Sequence, residues 1–416
     1  MDDLMHDAAE RMEKQGERLM IVVAALITVG VVMAAATATR LDRPLMEAAN
    51  WQGALGRQTV YAASAFLAML VASRLHVRWF SWRPGRGWQP SVALLGLAVA
   101  LLAVVWLPSM GHASHGRARW IDVGLITFQP SELAKPALVI YLAAVMGRRR
   151  ERGAAETSEP AQQRPSTWAV VPVVLLVCGL VGVEDFGTAV LIGGVGGLLA
   201  VVGGCGGGAL LAWALPGIAG FAGLLFMAPY RWERLMSFWT IWEDPQGSGY
   251  HAIQSLVAMA SGGWTGRGLG AGVAQYGYLP EARTDFVFSV LCEETGVLGG
   301  LTVIVLFITL VYLGLRIMTA VAEDDRFARL CVFGITATVG LQAAMNIAVV
   351  TVMAPTKGIP LPFVSSGGTG VICFAASTGL LAALARRTAS GVRSEGVAIS
   401  AAAPAEPVEG WNVASA

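Results

Sequence analysis

Charge is scarce in this chain. Only 14% of its 416 residues are Asp, Glu, Lys or Arg, where soluble chains carry about 25%. The formal net charge is +1, so no broad basic surface is available for nucleic acid. Cysteines form no framework. Cys178, Cys205, Cys292, Cys331 and Cys373 all fall in or beside apolar runs, without metal-type spacing, and are expected to be small buried hydrophobes. The histidines His6, His76, His112, His115 and His251 are scattered and lack zinc spacing. No Gly-x-Ser-x-Gly elbow is present. No small-residue cleavage site follows the first apolar run, which therefore predicts an anchor and not a cleaved signal.

What fills the chain instead is apolar sequence, 55% of it. A helix needs about 20 apolar residues to cross a bilayer. Ten candidate spans emerge at 19–39, 58–75, 91–107, 131–147, 168–182, 187–203, 208–229, 286–318, 328–354 and 367–385. The expected fold is all-α, a polytopic integral membrane protein of about ten transmembrane helices. Lys and Arg collect on the cytoplasmic side of such proteins. When residues at span ends are counted with the loop they adjoin, the two tails and the loops on their side hold 18, the other side 10. Both termini are thus expected in the cytoplasm, with 148–167 ("GRRRERG") the strongest contributor. Most tryptophans sit at or outside span ends, as interfacial anchors do. The expected organisation is a cytoplasmic N-terminal tail (1–18), a membrane domain (19–386) and a disordered Ala-, Ser- and Pro-rich tail (387–416). The longest loop, 230–285, falls outside the cytoplasm and is expected to carry the site.

Five stretches carry chemistry. "YLPEARTDFVFSV" puts Asp285 at the lip of the eighth span. An Asp there is either a helix N-cap or a partly desolvated carboxyl that serves as a base, and the two are compatible. Glu293 and Glu294 lie inside that span. An ideal helix places Glu293 about 80° around and about 12 Å along from Asp285, too far for a catalytic pair, so these acids are expected to anchor a neighbouring helix. In "QPSELAK", Ser131 is a candidate cap, and Glu132 and Lys135 share one helix face at i and i+3. They form either a buried structural ion pair or a substrate-facing lysine. "SGGWTGRGLGAG" (261–272) allows close backbone approach beside the cation Arg267. It either cradles a diphosphate or makes tight turns. In "APTKGIPLPFVSSGGTG" (354–370), Lys357 shares the outer side with Asp285 and the Gly-rich end opens the tenth span, where anions are favoured.

Taken in order, "RWIDVG…QPSELAK", "DFGTAVLI", "GYHAIQSLVAMASGGWTGRGLGAG", "YLPEARTDFVFSVLCEETGVLG" and "PTKGIPLPFVSSGG" resemble the SEDS family (shape, elongation, division and sporulation), with a lean toward its division-type members. The resemblance implies a ten-helix glycosyltransferase that polymerises lipid II outside the bacterial cytoplasmic membrane. Its implied partners are a class B penicillin-binding protein and other divisome or elongation-complex proteins. It assigns the essential aspartate to Asp285, the important tryptophan to Trp120, the buried ion pair to Glu132 and Lys135, and the turn lysine to Lys357. Substrate binding is expected from Trp120, Arg267, Glu281 and Lys357. A divalent cation (Mg or Mn) is the expected cofactor, with no organic one. The chain departs from the family's usual residues at Ser366 (Tyr), Arg283 (His) and Glu184 (Pro). A carrier for lipid-linked precursors and a non-catalytic scaffold are the rival classes. Neither requires an acid at the outer face.

Overall fold

The computed structural model describes residues 2–38, 54–83, 85, 87–106, 111–114, 117–122, 127–148, 167–226, 229–356 and 358–402. Within them the chain is helical. Backbone in hydrocarbon has no water to bond and must close its own hydrogen bonds. Ten helices match the predicted spans: α1 (Asp2–Ala38), α2 (Ala54–Ser73), α3 (Pro90–Val104), α4 (Pro130–Met146), α5 (Thr167–Gly182), α6 (Phe186–Val202), α7 (Gly207–Phe226), α10 (Val287–Ala320), α11 (Arg326–Val350) and α12 (Thr369–Ala402). Two shorter helices, α8 (Pro229–Ser237) and α9 (Tyr250–Ser261), divide the long loop. His6–Thr37, Val287–Ala320, Arg326–Val350 and Thr369–Gly391 are each long and apolar enough to cross a membrane, and shorter apolar helices accompany them. The chain is a multi-pass membrane protein.

Two boundaries differ from expectation. α1 starts at Asp2, so the 1–18 tail is mostly helix continuous with the first span. α12 runs to Ala402, so residues 387–402 of the expected disordered tail are helical. Residues 403–416 lie outside the described residues.

α1 and α12 run antiparallel. Gly16 abuts Ala382 and Ala385, while Gly30 abuts the backbone of Phe363 and Val364. The N-terminal end of α1 and the C-terminal end of α12 therefore lie at the same end of the bundle. Arginines close helix C-termini there. Arg386 donates to Ser73 O at the end of α2, and Arg326 Nη2 donates to Gly203 O (2.9 Å) at the end of α6, as cations favour the negative end of a helix. Arg387 pairs with Asp325 at 2.5 Å. A small antiparallel sheet, β1 (Gly111–Ser114), β2 (Arg117–Asp122) and β3 (Thr127–Phe128), lies at the opposite end, in the order β1–β2–β3. Two apolar clusters fill the bundle. One is built around α4, α6 and α11. The other joins α1, α2 and α10 to the turn before α12.

α10 is broken at Gly296, whose φ of 72° and ψ of −171° are open only to glycine. The break frees backbone groups that a membrane helix cannot leave unpaired. The loop 262–268 takes them up. Arg267 N donates to Glu293 O (3.0 Å), Gly268 N to Glu294 O (3.0 Å), and Val297 N donates to Gly263 O (2.9 Å). Side chains at Gly262, Gly266 or Gly296 would collide with the facing backbone. The Gly-rich stretch is therefore a set of close packing turns, one of its two readings.

Candidate functional site

Asp285 stands at the end of the bundle opposite the chain termini. It does not cap α10: the N-cap is Phe286, and no side-chain capping bond is made. The cap reading is corrected because the chain turns into the helix one residue later. Ser131 is likewise no cap. α4 begins at Pro130 after Gln129, which also makes no side-chain capping bond. A proline at the first helical turn has no amide hydrogen to satisfy.

Asp285 is partly buried, and its carboxyl packs against the turn at Gly358. A Cβ on Gly358 would lie 3.0 Å from Asp285 Oδ2. Burial is the main reason that its pKa is raised from 3.8 to about 7. The carboxylates of Glu281 and Asp185 push it further up, while Arg119 and Arg234 pull it down. The surrounding groups thus come from several connections. Arg119 is on β2, Asp185 precedes α6, Arg234 is on α8 and Glu281 is in the turn before Asp285. The site does not rest on the 230–285 loop alone.

These neighbours are fixed locally. Asp185 caps α6, accepting from Thr188 N (3.0 Å) and Thr188 Oγ1 (3.0 Å). Arg119 donates to Glu184 O and stands 3.8 Å from Asp185. Glu281 has a φ of 55° and accepts from Thr284 Oγ1 at 2.8 Å. His251, on α9, stacks on Phe286 with centroids 6.0 Å apart. Its pKa is lowered by burial and by Arg234, and Glu281 pulls it up.

The other predicted residues divide. Glu132 and Lys135 form the expected ion pair at 2.8 Å, both side chains 2% exposed. Trp120 lies beside Gly368 and Tyr61, at the head of α12. Arg267 pairs with Glu293 at 3.2 Å, and Glu293 also accepts from Val273 N (2.8 Å) and Ala274 N (3.1 Å). Its bonds tie α10 to the Gly-rich loop, so Arg267 belongs to that junction. Lys357 lies outside the described residues. Among the described residues, no three His, Cys, Asp or Glu side chains converge closely enough to hold a metal ion, though Mg is usually held by one or two carboxylates together with substrate phosphates. The residues that depart from the family's usual ones are accommodated through backbone. Arg283 donates to Thr37 O, Glu184 offers its carbonyl to Arg119, and Ser366 N donates to Arg283 O (3.0 Å).

Sequence reasoning missed Arg119, Asp185, Arg234, His251, Gln342 and Asn346. Asp185 and His251 lie in the quoted "DFGT" and "GYHAIQS" stretches, and Arg119 precedes Trp120. Gln342 and Asn346, an i and i+4 pair of amides in the apolar α11, were the remaining signal.

Fold and site together define a multi-pass helical membrane protein with a partly buried acid of raised pKa, under the influence of two arginines, at one end of its bundle. The chain belongs to the FtsW, RodA and SpoVE family of cell cycle proteins, whose model matches residues 17–390. It is 36% identical over 329 residues to a probable peptidoglycan glycosyltransferase FtsW of Geobacter sp. (strain M18), covering 79% of this chain and 85% of that one. It is 33% identical over 369 residues to the stage V sporulation protein E of Bacillus subtilis (strain 168), covering 88% and 96%. A chain of a peptidoglycan synthase complex, solved to show how polymerization and crosslinking are coordinated, superposes with a TM-score of 0.67 at 25% identity, covering 89% and 97%. The rod shape determining protein RodA of Thermus thermophilus shares the fold, with a TM-score of 0.59 at 24% identity over 88% and 95%.

Proposed function

We propose that this chain is a peptidoglycan glycosyltransferase of the bacterial cytoplasmic membrane, with both termini in the cytoplasm and the Asp285 end outside. Its substrate is lipid II, and the division-type role is favoured by the relatives named FtsW. The observation that carries the reading is the setting of Asp285. A carboxyl whose pKa is near 7 is matched to accepting a proton at neutral pH. The acceptor sugar hydroxyl attacks the anomeric carbon of the chain held on a lipid diphosphate. The new oxygen–carbon bond forms as the bond to diphosphate breaks, the hydroxyl proton passes to an Asp285 oxygen, and the diphosphate leaves with the bonding electron pair. The donor linkage is α and the product β, so one inverting displacement suffices. The charges of Arg119 and Arg234 act on the acid, and cations near a leaving group stabilise its charge. A class B penicillin-binding protein is the proposed cross-linking partner, in keeping with the synthase complex that shares this fold.

Proteoliposomes holding the purified full chain, given lipid II, test this reading. Glycan polymer with release of lipid diphosphate is expected. Lipid II moved across the bilayer without polymer would assign a carrier, and neither outcome would leave a scaffold.

A further inference from the structure

α11 carries two buried amides one turn apart, Gln342 (0% exposed) and Asn346 (1%). Buried amides in an apolar helix are costly unless their hydrogen bonds are met. The amide nitrogens of both donate to loop backbone, while Asn346 Oδ1 is buried without a partner among the described residues. Asn346 Nδ2 donates to Asp285 O (2.8 Å) and to Ile359 O (2.7 Å). Gln342 Nε2 donates to Pro360 O (2.9 Å), while its Oε1 accepts from Lys135 Nζ (2.7 Å). Lys135 in turn holds Glu132.

The turn before α12 supplies the rest. Ser365 Oγ donates to Thr284 O (2.6 Å) and accepts from Leu361 N (2.7 Å). Ser366 N donates to Arg283 O (3.0 Å). Three consecutive carbonyls, those of Arg283, Thr284 and Asp285, are therefore each held by a group from α11 or from the 358–366 turn. None of the three is held by a helix cap. From buried Glu132 the hydrogen bonds reach Pro360 through Lys135 and Gln342, and the adjoining Ile359 carbonyl shares Asn346 with the peptide that bears the acid.

We infer that Asn346 and Ser365 are positioning residues: they clamp the Arg283–Asp285 backbone to the 358–366 turn and so fix where the Asp285 carboxyl points, while Gln342 ties that clamp to the Glu132–Lys135 pair. The inference rests on Asp285 being the base. It gives the ion pair a task other than touching substrate, namely to hold the amide rail that ends at the acid. A carboxyl attached to an unclamped peptide can swing toward water, and misplacement by about 1 Å costs on the order of 100-fold in rate. Water reaching the carboxyl lowers its pKa. The charged groups around it, Glu281, Asp185, Arg119 and Arg234, are left in place.

The test uses the full chain in proteoliposomes with lipid II. Asn346→Ala and Ser365→Ala should each melt as a folded protein and lower kcat by about 10- to 100-fold, with KM for lipid II unchanged. The acidic limb of each pH–rate profile should shift down from about 7. Ser365→Thr, which keeps the hydroxyl, should restore both kcat and the limb. A folded Asn346→Ala with wild-type kcat and an unmoved limb would overturn the clamp, as would a change confined to KM. Should Asn346→Ala fail to fold, Ser365→Ala decides by the same two readouts. Wild-type-like polymerisation by Asp285→Asn would remove the base and the purpose of the clamp together. That result is distinguishable because it leaves Asn346 and Ser365 untouched.

Discussion

Asp285 carries a thermodynamic signature separate from its chemistry. Its pKa is raised from 3.8 to about 7 in the folded chain, by burial first and then by Glu281 and Asp185. Between those values the folded state binds more protons than the unfolded one, so this group makes stability fall as pH rises from about 4 to about 7. Asp285→Asn removes the ionisation. The variant should melt above wild type at pH 8, with the gap closing toward pH 4. Melting curves in detergent check this, and equal melting at every pH would contradict a raised carboxyl. Asp285 was legible in the sequence because it closes the longest loop at the lip of an apolar run, within a stretch that resembles the family's. Its neighbours were not. Arg119, Asp185 and Arg234 lie on three different connections, and only the folded bundle brings their charges to bear on one carboxyl. The cap reading failed for a local reason: the Arg283–Asp285 peptide is held from outside, and the helix starts at Val287.

At the scale of elements, hydropathy predicts α10 as one span and cannot reveal that it is broken. The break depends on Gly296 and on a loop about thirty residues earlier that takes over the freed backbone bonds. The Gly-rich stretch 261–272 was legible as close-packing sequence, yet its packing partner was not, because glycine has no side chain to announce a contact. Gly296→Ala forces a Cβ into the Trp264 carbonyl and into backbone angles that cost about 1–3 kcal/mol for other residues. The expected outcome is a lower melting temperature and lower membrane abundance, measured by fluorescence-detected chromatography. An unchanged melting temperature would show that the break is not required. The small sheet and helices α8 and α9 went unpredicted because each is short, and short elements lack the periodicity that marks a span.

At the scale of the whole molecule, the ten spans and their pairing of ends were legible, since apolar length and the lysine and arginine bias act on every helix at once. The antiparallel α1–α12 packing agrees with that count by placing the start of α1 and the end of α12 together. Exposed Ser248, between α8 and α9, should lie outside the cell. A Ser248→Cys chain should react with a membrane-impermeant maleimide in intact cells, above the background of the native cysteines. Labelling only after permeabilisation would invert the topology. If Asp285 accepts the proton of the acceptor hydroxyl, lipid II polymerisation by purified Asp285→Asn must reveal it. Asn keeps the size of the side chain and leaves the clamped backbone intact. The variant should fold, and its rate should fall by about 10²–10⁴-fold, the usual worth of a positioned base. A folded Asp285→Asn chain that polymerises lipid II at the wild-type rate would contradict it.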